Sequence, residues 1–178
     1  MVVSFIFIFV FARKNFKWLI PGFLAAIAMF LFPTFHERLL LIFKDNGDSD
    51  RFRYWATAFK MIHEHPFLGT GVGTFMTNFS KDLPGVRISY AHNCYLQIWA
   101  ETGILSLISF IGFIGSVMYL GIKKFLVSRD FLLLGLLSGI IGFLTHSFLD
   151  SNLYSLQLAF LFWTLVGLAI TRLRTAYK

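Results

Sequence analysis

His92 and Asn93 stand just ahead of an apolar run, "CYLQIWAETGILSL", that carries an amide, Gln97, and a carboxylate, Glu101, one turn apart on one helical face. An imidazole at the edge of a membrane segment can take a proton from a hydroxyl. The other reading of His92 is an interfacial histidine closing a span, and position alone leaves both open. Asn93 occupies a natural helix N-cap position. Arg51 and Arg53 open the run "RFRYWATAFKMIHEH"; guanidinium groups make fork-like bonds to phosphate oxygens, which suits a lipid pyrophosphate, with anionic head groups as the alternative. An intramembrane carboxylate faces a bundle interior and needs a partner, so Glu101 serves either chemistry or a helix–helix contact. His146 and Asp150, four residues apart near the end of a later span, are placed to orient one another or to meet Glu101. Together with Gln97 they form a candidate intramembrane polar network. In "PFLGTGVGTF" the alternating Gly69, Gly71 and Gly73 permit either an anion-binding nest of amides, with Gly71 and Gly73 as substrate contacts, or a tight re-entry turn. The spacing is neither a dinucleotide fingerprint nor a phosphate-binding loop. The "HEH" at His63 to His65 lacks the spacing of a metal-binding helix and is followed by Pro66, so no metal or cofactor is expected. Cys94 adjoins His92 in sequence only, since neighbours on a helix do not face each other.

The elements that position these groups follow from composition. The chain has 178 residues, is 57% hydrophobic and 19% aromatic, and is only 14% charged, which is too apolar for a soluble domain and indicates a membrane protein. Apolar stretches run from Met1 to Ala12, Trp18 to Phe35, and Tyr95 to Gly121. A last block is broken by "HSFLDSN" into Phe131–Leu149 and Leu153–Thr171, each close to the roughly 20 residues a helix needs to cross the hydrocarbon core. The first stretch is too short to span and has no basic residues ahead of it, as a signal peptide would; it reads as the tail of a truncated span, so the chain is expected to be the C-terminal part of a longer protein. Basic clusters at Arg13, Lys14 and Lys17, at Lys123, Lys124 and Arg129, and at Arg172, Arg174 and Lys178 fall on one side if the spans alternate. That side should be the cytoplasm. Residues 36–91 then lie outside, and their seven basic and six acidic side chains nearly cancel. The formal net charge of +7 is thus mostly a cytoplasmic anchor, and nucleic acid is not an expected partner. Within the outer loop, Phe52, Trp55, Phe59 and Ile62 recur at helical spacing, which predicts an amphipathic surface helix stopped by Pro66. The expected fold is all-α: a polytopic transmembrane helix bundle with a large extracytoplasmic loop carrying that helix. Its expected divisions are N-terminal spans over 1–35, the extracytoplasmic loop over 36–93, three transmembrane helices over 94–171 and a cytoplasmic tail over 172–178.

Three segments, "DRFRYWATAFKMIHEHPFLGTGVGTF", "AHNCYLQIWAETGILSL" and "HSFLDSNLY", resemble the C-terminal signature of the superfamily of O-antigen ligases and O-antigen polymerases. The ligase pattern has a histidine followed by Asn, Ser or Gln, nine residues, a glycine, and a Gly, Thr or Tyr three positions on. Here His92, Asn93 and Gly103 fill the first places and Ser106 departs at the last. The resemblance covers roughly residues 50–165. It implies a glycosyltransferase of the bacterial inner membrane that takes a glycan from an undecaprenyl diphosphate carrier, on the outer face, and joins it to an acceptor hydroxyl on a lipid or glycan. Neither a nucleotide sugar nor a metal takes part. It also implies that His92 is the general base and that Arg51, with Arg53 as a weaker match, holds the pyrophosphate; Asn93 joins them as a candidate substrate contact. A further family arginine lies upstream of the matching region. Ligase, polymerase and protein-glycosylating relatives share these motifs and differ in acceptor. A non-catalytic membrane protein that binds lipid-linked glycan is the alternative from another class.

Overall fold

The computed structural model describes residues 2–11, 47–82 and 90–175. All regular elements among them are helical: α1 (Val2–Phe11), α2 (Gly47–Glu64), α3 (Phe75–Asp82), α4 (Cys94–Ser128), α5 (Phe131–His146), a 3-10 turn (Asn152–Tyr154) and α6 (Leu156–Arg174). The expected span Trp18–Phe35, residues 36–46 and the basic residues Arg13, Lys14, Lys17 and Lys178 lie outside the described residues.

α4 and α6 are long and apolar enough to cross a membrane, with mean hydropathies of 2.0 and 1.7 over their most apolar windows. Their apolar side chains point mostly outward: Leu105, Ile108, Ile111, Tyr119, Phe160, Leu161 and Trp163 are all exposed. That is the arrangement of a helix pair solvated by lipid, where an apolar exterior costs nothing. The inward faces of α4, α5 and α6 meet in a core of Phe125, Leu133, Leu137, Ile140, Phe162 and Val166, which Phe7 of α1 joins. α1 lies along α5, where the buried Ser138 hydroxyl donates to the Ser4 carbonyl at 3.0 Å. α5 has 16 residues and stops at His146, short of the expected Leu149. α6 starts at Leu156 rather than Leu153, because the 3-10 turn takes the intervening residues.

The two ends of the bundle differ. At one, Asp130 caps α5 by accepting from the amides of Leu132 and Leu133 at 3.0 and 3.2 Å. There Lys124 donates to the carbonyls of Arg172 and Leu173, and Arg172 lies 3.8 Å from Asp130. The basic residues that end α4 and α6 therefore share one end. At the other, the Cys94 amide donates to the Ser147 carbonyl at 2.9 Å and the Tyr95 hydroxyl to the Leu144 carbonyl at 2.8 Å. These bonds tie the start of α4 to the end of α5. A second, smaller core covers this end, built from Ala58, Met61 and Ile62 of α2, Phe75 and Phe79 of α3, and Ala91 and Ala100.

The predicted helix is present as α2, and its expected apolar face is divided: Ile62 is buried in the smaller core while Phe52 and Phe59 are exposed. Ala58 and Met61, with half-buried Tyr54, face α3 and α4, whereas Phe52 and Phe59 are 68% and 53% exposed. Small and flexible side chains let α2 approach α4 closely, so the two phenylalanines are turned outward.

Candidate functional site

α4 is helical throughout except at Gly103, whose φ of 82° and ψ of 171° break it. The break has a partner in the glycine loop after α2. At the kink the Ile104 amide donates to the Pro66 carbonyl at 3.0 Å instead of to Ala100, and the freed Ala100 carbonyl accepts from the Thr70 amide at 3.1 Å. The Trp99 indole also donates to Pro66, at 3.1 Å, and the Gly71 amide donates to the Glu101 carbonyl at 2.8 Å. The Ile104 amide and the Ala100 and Glu101 carbonyls at the kink are thus paired with the loop, as buried polar groups require. Two glycines make the approach feasible. A Cβ on Gly69 (φ 70°) would sit 2.3 Å from the Glu101 carbonyl carbon, and one on Gly103 would sit 2.0 Å from the Phe67 oxygen.

This clasp fixes Glu101, which is only 1% exposed. One carboxylate oxygen accepts from the Gly73 amide and the other from the Phe75 amide at the start of α3, both at 3.0 Å. Gln97 approaches the second oxygen with its amide nitrogen at 3.5 Å. The Tyr154 phenol is near this carboxylate, and burial together with the adjoining charge pushes it well above its usual range, keeping it protonated. The loop does form a nest for an anion, but the anion is the protein's own. Both amides offered by the expected nest are engaged within the protein, Gly71 with the Glu101 carbonyl and Gly73 with its carboxylate.

Gln97, also 1% exposed, turns its oxygen the other way and accepts from the Ala91 amide at 3.0 Å and the Ser151 hydroxyl at 2.8 Å. Next to Ala91 is His92, held at a left-handed φ of 50°, a conformation that costs a non-glycine residue roughly 1–3 kcal/mol. Its Nδ1 lies 3.4 Å from Oδ1 of Asp150, and both side chains are partly open, at 42% and 48% exposure. The Tyr54 ring of α2 lies 5.6 Å from the imidazole. Asn93 is the N-cap of α4, its side-chain oxygen accepting from the amides of Tyr95 and Leu96 at 3.0 Å each.

The expected network is therefore divided. Gln97 and Glu101 meet each other, but Asp150 pairs with His92 and not with His146, and neither His146 nor Asp150 is bonded to Glu101. The Nδ1 of His146 sits instead between the amide atoms of the buried Asn152, at 2.8 and 3.2 Å. The residues after α5 leave the helix at Ser147, so the helical register that would keep His146 and Asp150 on one face no longer applies. Arg51 and Arg53 are exposed on the first turns of α2, Arg51 one turn ahead of Tyr54 and so on the side of the helix that reaches His92. His63 and His65 are exposed at the other end of α2, and Cys94 is fully buried. Tyr54, Ser151, Asn152 and Tyr154 join the site without having been singled out from sequence. Ser151, Asn152 and Tyr154 lie in the signature-like "HSFLDSNLY" and Tyr54 in "DRFRYWATAFKMIHEHPFLGTGVGTF", the one signal that pointed toward them.

An imidazole beside a carboxylate thus stands at the polar end of a bundle whose α4 and α6 are long and apolar enough to cross a membrane. The family model described as O-antigen ligase matches residues 1–111, which include Arg51, the glycine loop, His92 and Gly103. The chain belongs to this family of membrane proteins, whose function is that of an O-antigen ligase or polymerase. No curated protein and no solved structure matches the chain.

Proposed function

We propose that the protein is a membrane glycosyltransferase that moves a glycan from an undecaprenyl diphosphate carrier to an acceptor hydroxyl on the outer face of the bacterial inner membrane. The observation that carries this reading is the His92–Asp150 pair, with Nδ1 3.4 Å from the carboxylate, at the bundle end opposite the basic residues Lys124 and Arg172. By the excess of Lys and Arg on cytoplasmic connections, the basic end is the inner one. His92, α2 and α3 are then outside, where a lipid-linked donor presents its diphosphate. The divisions at 1–35, 36–93, 94–171 and 172–178 describe this topology.

With Nδ1 turned to Asp150, Nε2 of His92 is the nitrogen left for substrate. The acceptor oxygen attacks the anomeric carbon of the donor while its proton passes to Nε2. The bond from that carbon to the phosphate oxygen breaks, and the electron pair leaves with the diphosphate. Asp150 stabilises the imidazolium that forms, and the Arg51 guanidinium, with Arg53 beside it, neutralises the departing charge. Diphosphate is already a good leaving group, so the protein mainly aligns two substrates and removes one proton. Asn93 acts through the backbone it caps. No metal or cofactor enters this scheme.

The test is the state of the glycan in a deletion strain complemented with wild-type protein or with His92→Ala at equal protein level. Glycan retained on the carrier in the His92→Ala strain is the expected result, and attached glycan equal to wild type would refute the assignment. Long chains retained on the carrier identify a ligase; single repeat units identify a polymerase.

A further inference from the structure

One buried amide oxygen joins the two halves of the candidate dyad. Oε1 of Gln97 accepts from the Ala91 amide at 3.0 Å and from the Ser151 hydroxyl at 2.8 Å. Ala91 directly precedes His92, and Ser151 directly follows Asp150, whose Oδ1 also takes the Ser151 amide at 2.7 Å. The two segments are distant in the chain, Ala91 lying 6 and Ser151 54 residues from Gln97. His92 stands at a φ of 50°, so its backbone does not rest in a broad energy well and has to be held from outside. We infer that Gln97 is a positioning residue, which sets the separation of His92 and Asp150 for the transfer reaction. The inference rests on the reading of His92 as general base.

The residue type fits this task narrowly. An apolar side chain of the same size would leave the Ala91 amide and the Ser151 hydroxyl buried without an acceptor. A carboxylate would set its charge against that of Glu101, 3.5 Å away. Asparagine is one methylene too short to reach from α4 to both donors. Only glutamine presents an acceptor to the dyad segments and a donor to Glu101.

The full-length protein is reconstituted in lipid nanodiscs and supplied with carrier-linked glycan and unglycosylated acceptor, both extracted from the deletion strain, turnover being read as undecaprenyl diphosphate released. Gln97→Met should lower kcat about 10- to 100-fold, the cost of a misplaced base, with KM for the donor within about twofold, because the diphosphate contacts of Arg51 are untouched. In a His92→Ala background the same substitution should cost nothing further, since there is no imidazole left to aim. Ser151→Ala, which removes one of the two bonds, reports on the same link if Gln97→Met fails to fold; kcat should fall and Ser151→Thr should restore it. An equal loss from Gln97→Met in both backgrounds, or wild-type kcat in Ser151→Ala, overturns the inference alone. Wild-type turnover in His92→Ala overturns the reading beneath it as well.

Discussion

Asp150 lies 3.4 Å from Nδ1 of His92, and at the residue scale that contact is the ground on which a general base is proposed. A carboxylate there selects the tautomer whose Nε2 is available and stabilises the cation formed when the proton arrives. Asp150→Asn keeps the shape and removes the charge, so turnover of carrier-linked glycan should fall about 10- to 100-fold with donor affinity unchanged. Loss of donor binding with normal turnover would assign Asp150 a different role. Arg51 predicts the converse. Removing a charge-assisted contact to phosphate costs about 1.5–3 kcal/mol, so Arg51→Ala should weaken binding of undecaprenyl diphosphate about 10- to 100-fold, measured by titration in nanodiscs; unchanged affinity contradicts the clamp. His92 was legible from sequence because it stands at the mouth of an apolar run, beside a capping Asn93. Its partner was not: a carboxylate within four residues of His146 invites a helical pairing, and nothing local reveals that the helix has already ended at Ser147.

At the scale of elements, the kink at Gly103 and the loop from Pro66 to Phe75 form one unit, since each satisfies the backbone groups that the other exposes. Gly69→Ala and Gly103→Ala each place a methyl where another backbone already lies and force a left-handed φ on a residue with a side chain. Each should destabilise the protein by about 2–4 kcal/mol, seen as a lower midpoint in thermal unfolding in detergent. A midpoint equal to wild type would show that the loop is not pressed against α4. Glu101→Gln replaces an acceptor of the Gly73 or Phe75 amide with a donor, and should cost about 1–3 kcal/mol. Its turnover per folded molecule should fall less than that of Asp150→Asn, because Glu101 locks the loop and does not touch the imidazole. From sequence Glu101 reads as a carboxylate stranded in the membrane. Its partners lie 26 and 28 residues earlier, in a glycine run whose amides looked available to substrate, and a single glycine in an apolar helix does not announce a break. Two of the expected spans, α4 and α6, were readable since composition and length decide them. The ends expected near Leu149 and Leu153 were not, because the polar turn is folded by Gln97 and Asn152 rather than by a local signal.

The whole molecule is organised by its two unlike ends, with Lys124, Asp130 and Arg172 at one and the His92 site under α2 and α3 at the other. If the basic end faces the cytoplasm, Val72→Cys, in the exposed glycine loop, should react with a membrane-impermeant maleimide in spheroplasts. Val127→Cys, exposed near the end of α4, should react only after permeabilisation. Both are read in a Cys94→Ala background, and the reverse pattern would place the site on the wrong side of the membrane for a lipid-linked donor. The apolar character of the long helices was open to composition alone, whereas the joining of α2 and α3 to the bundle depends on contacts between segments far apart in sequence. The most direct measurement is single-turnover release of undecaprenyl diphosphate by nanodisc-embedded His92→Ala, with donor binding followed in parallel. The expected result is a rate about a hundred- to ten-thousand-fold below wild type with donor affinity retained. A wild-type rate from a protein that lacks the imidazole would contradict proton transfer at His92.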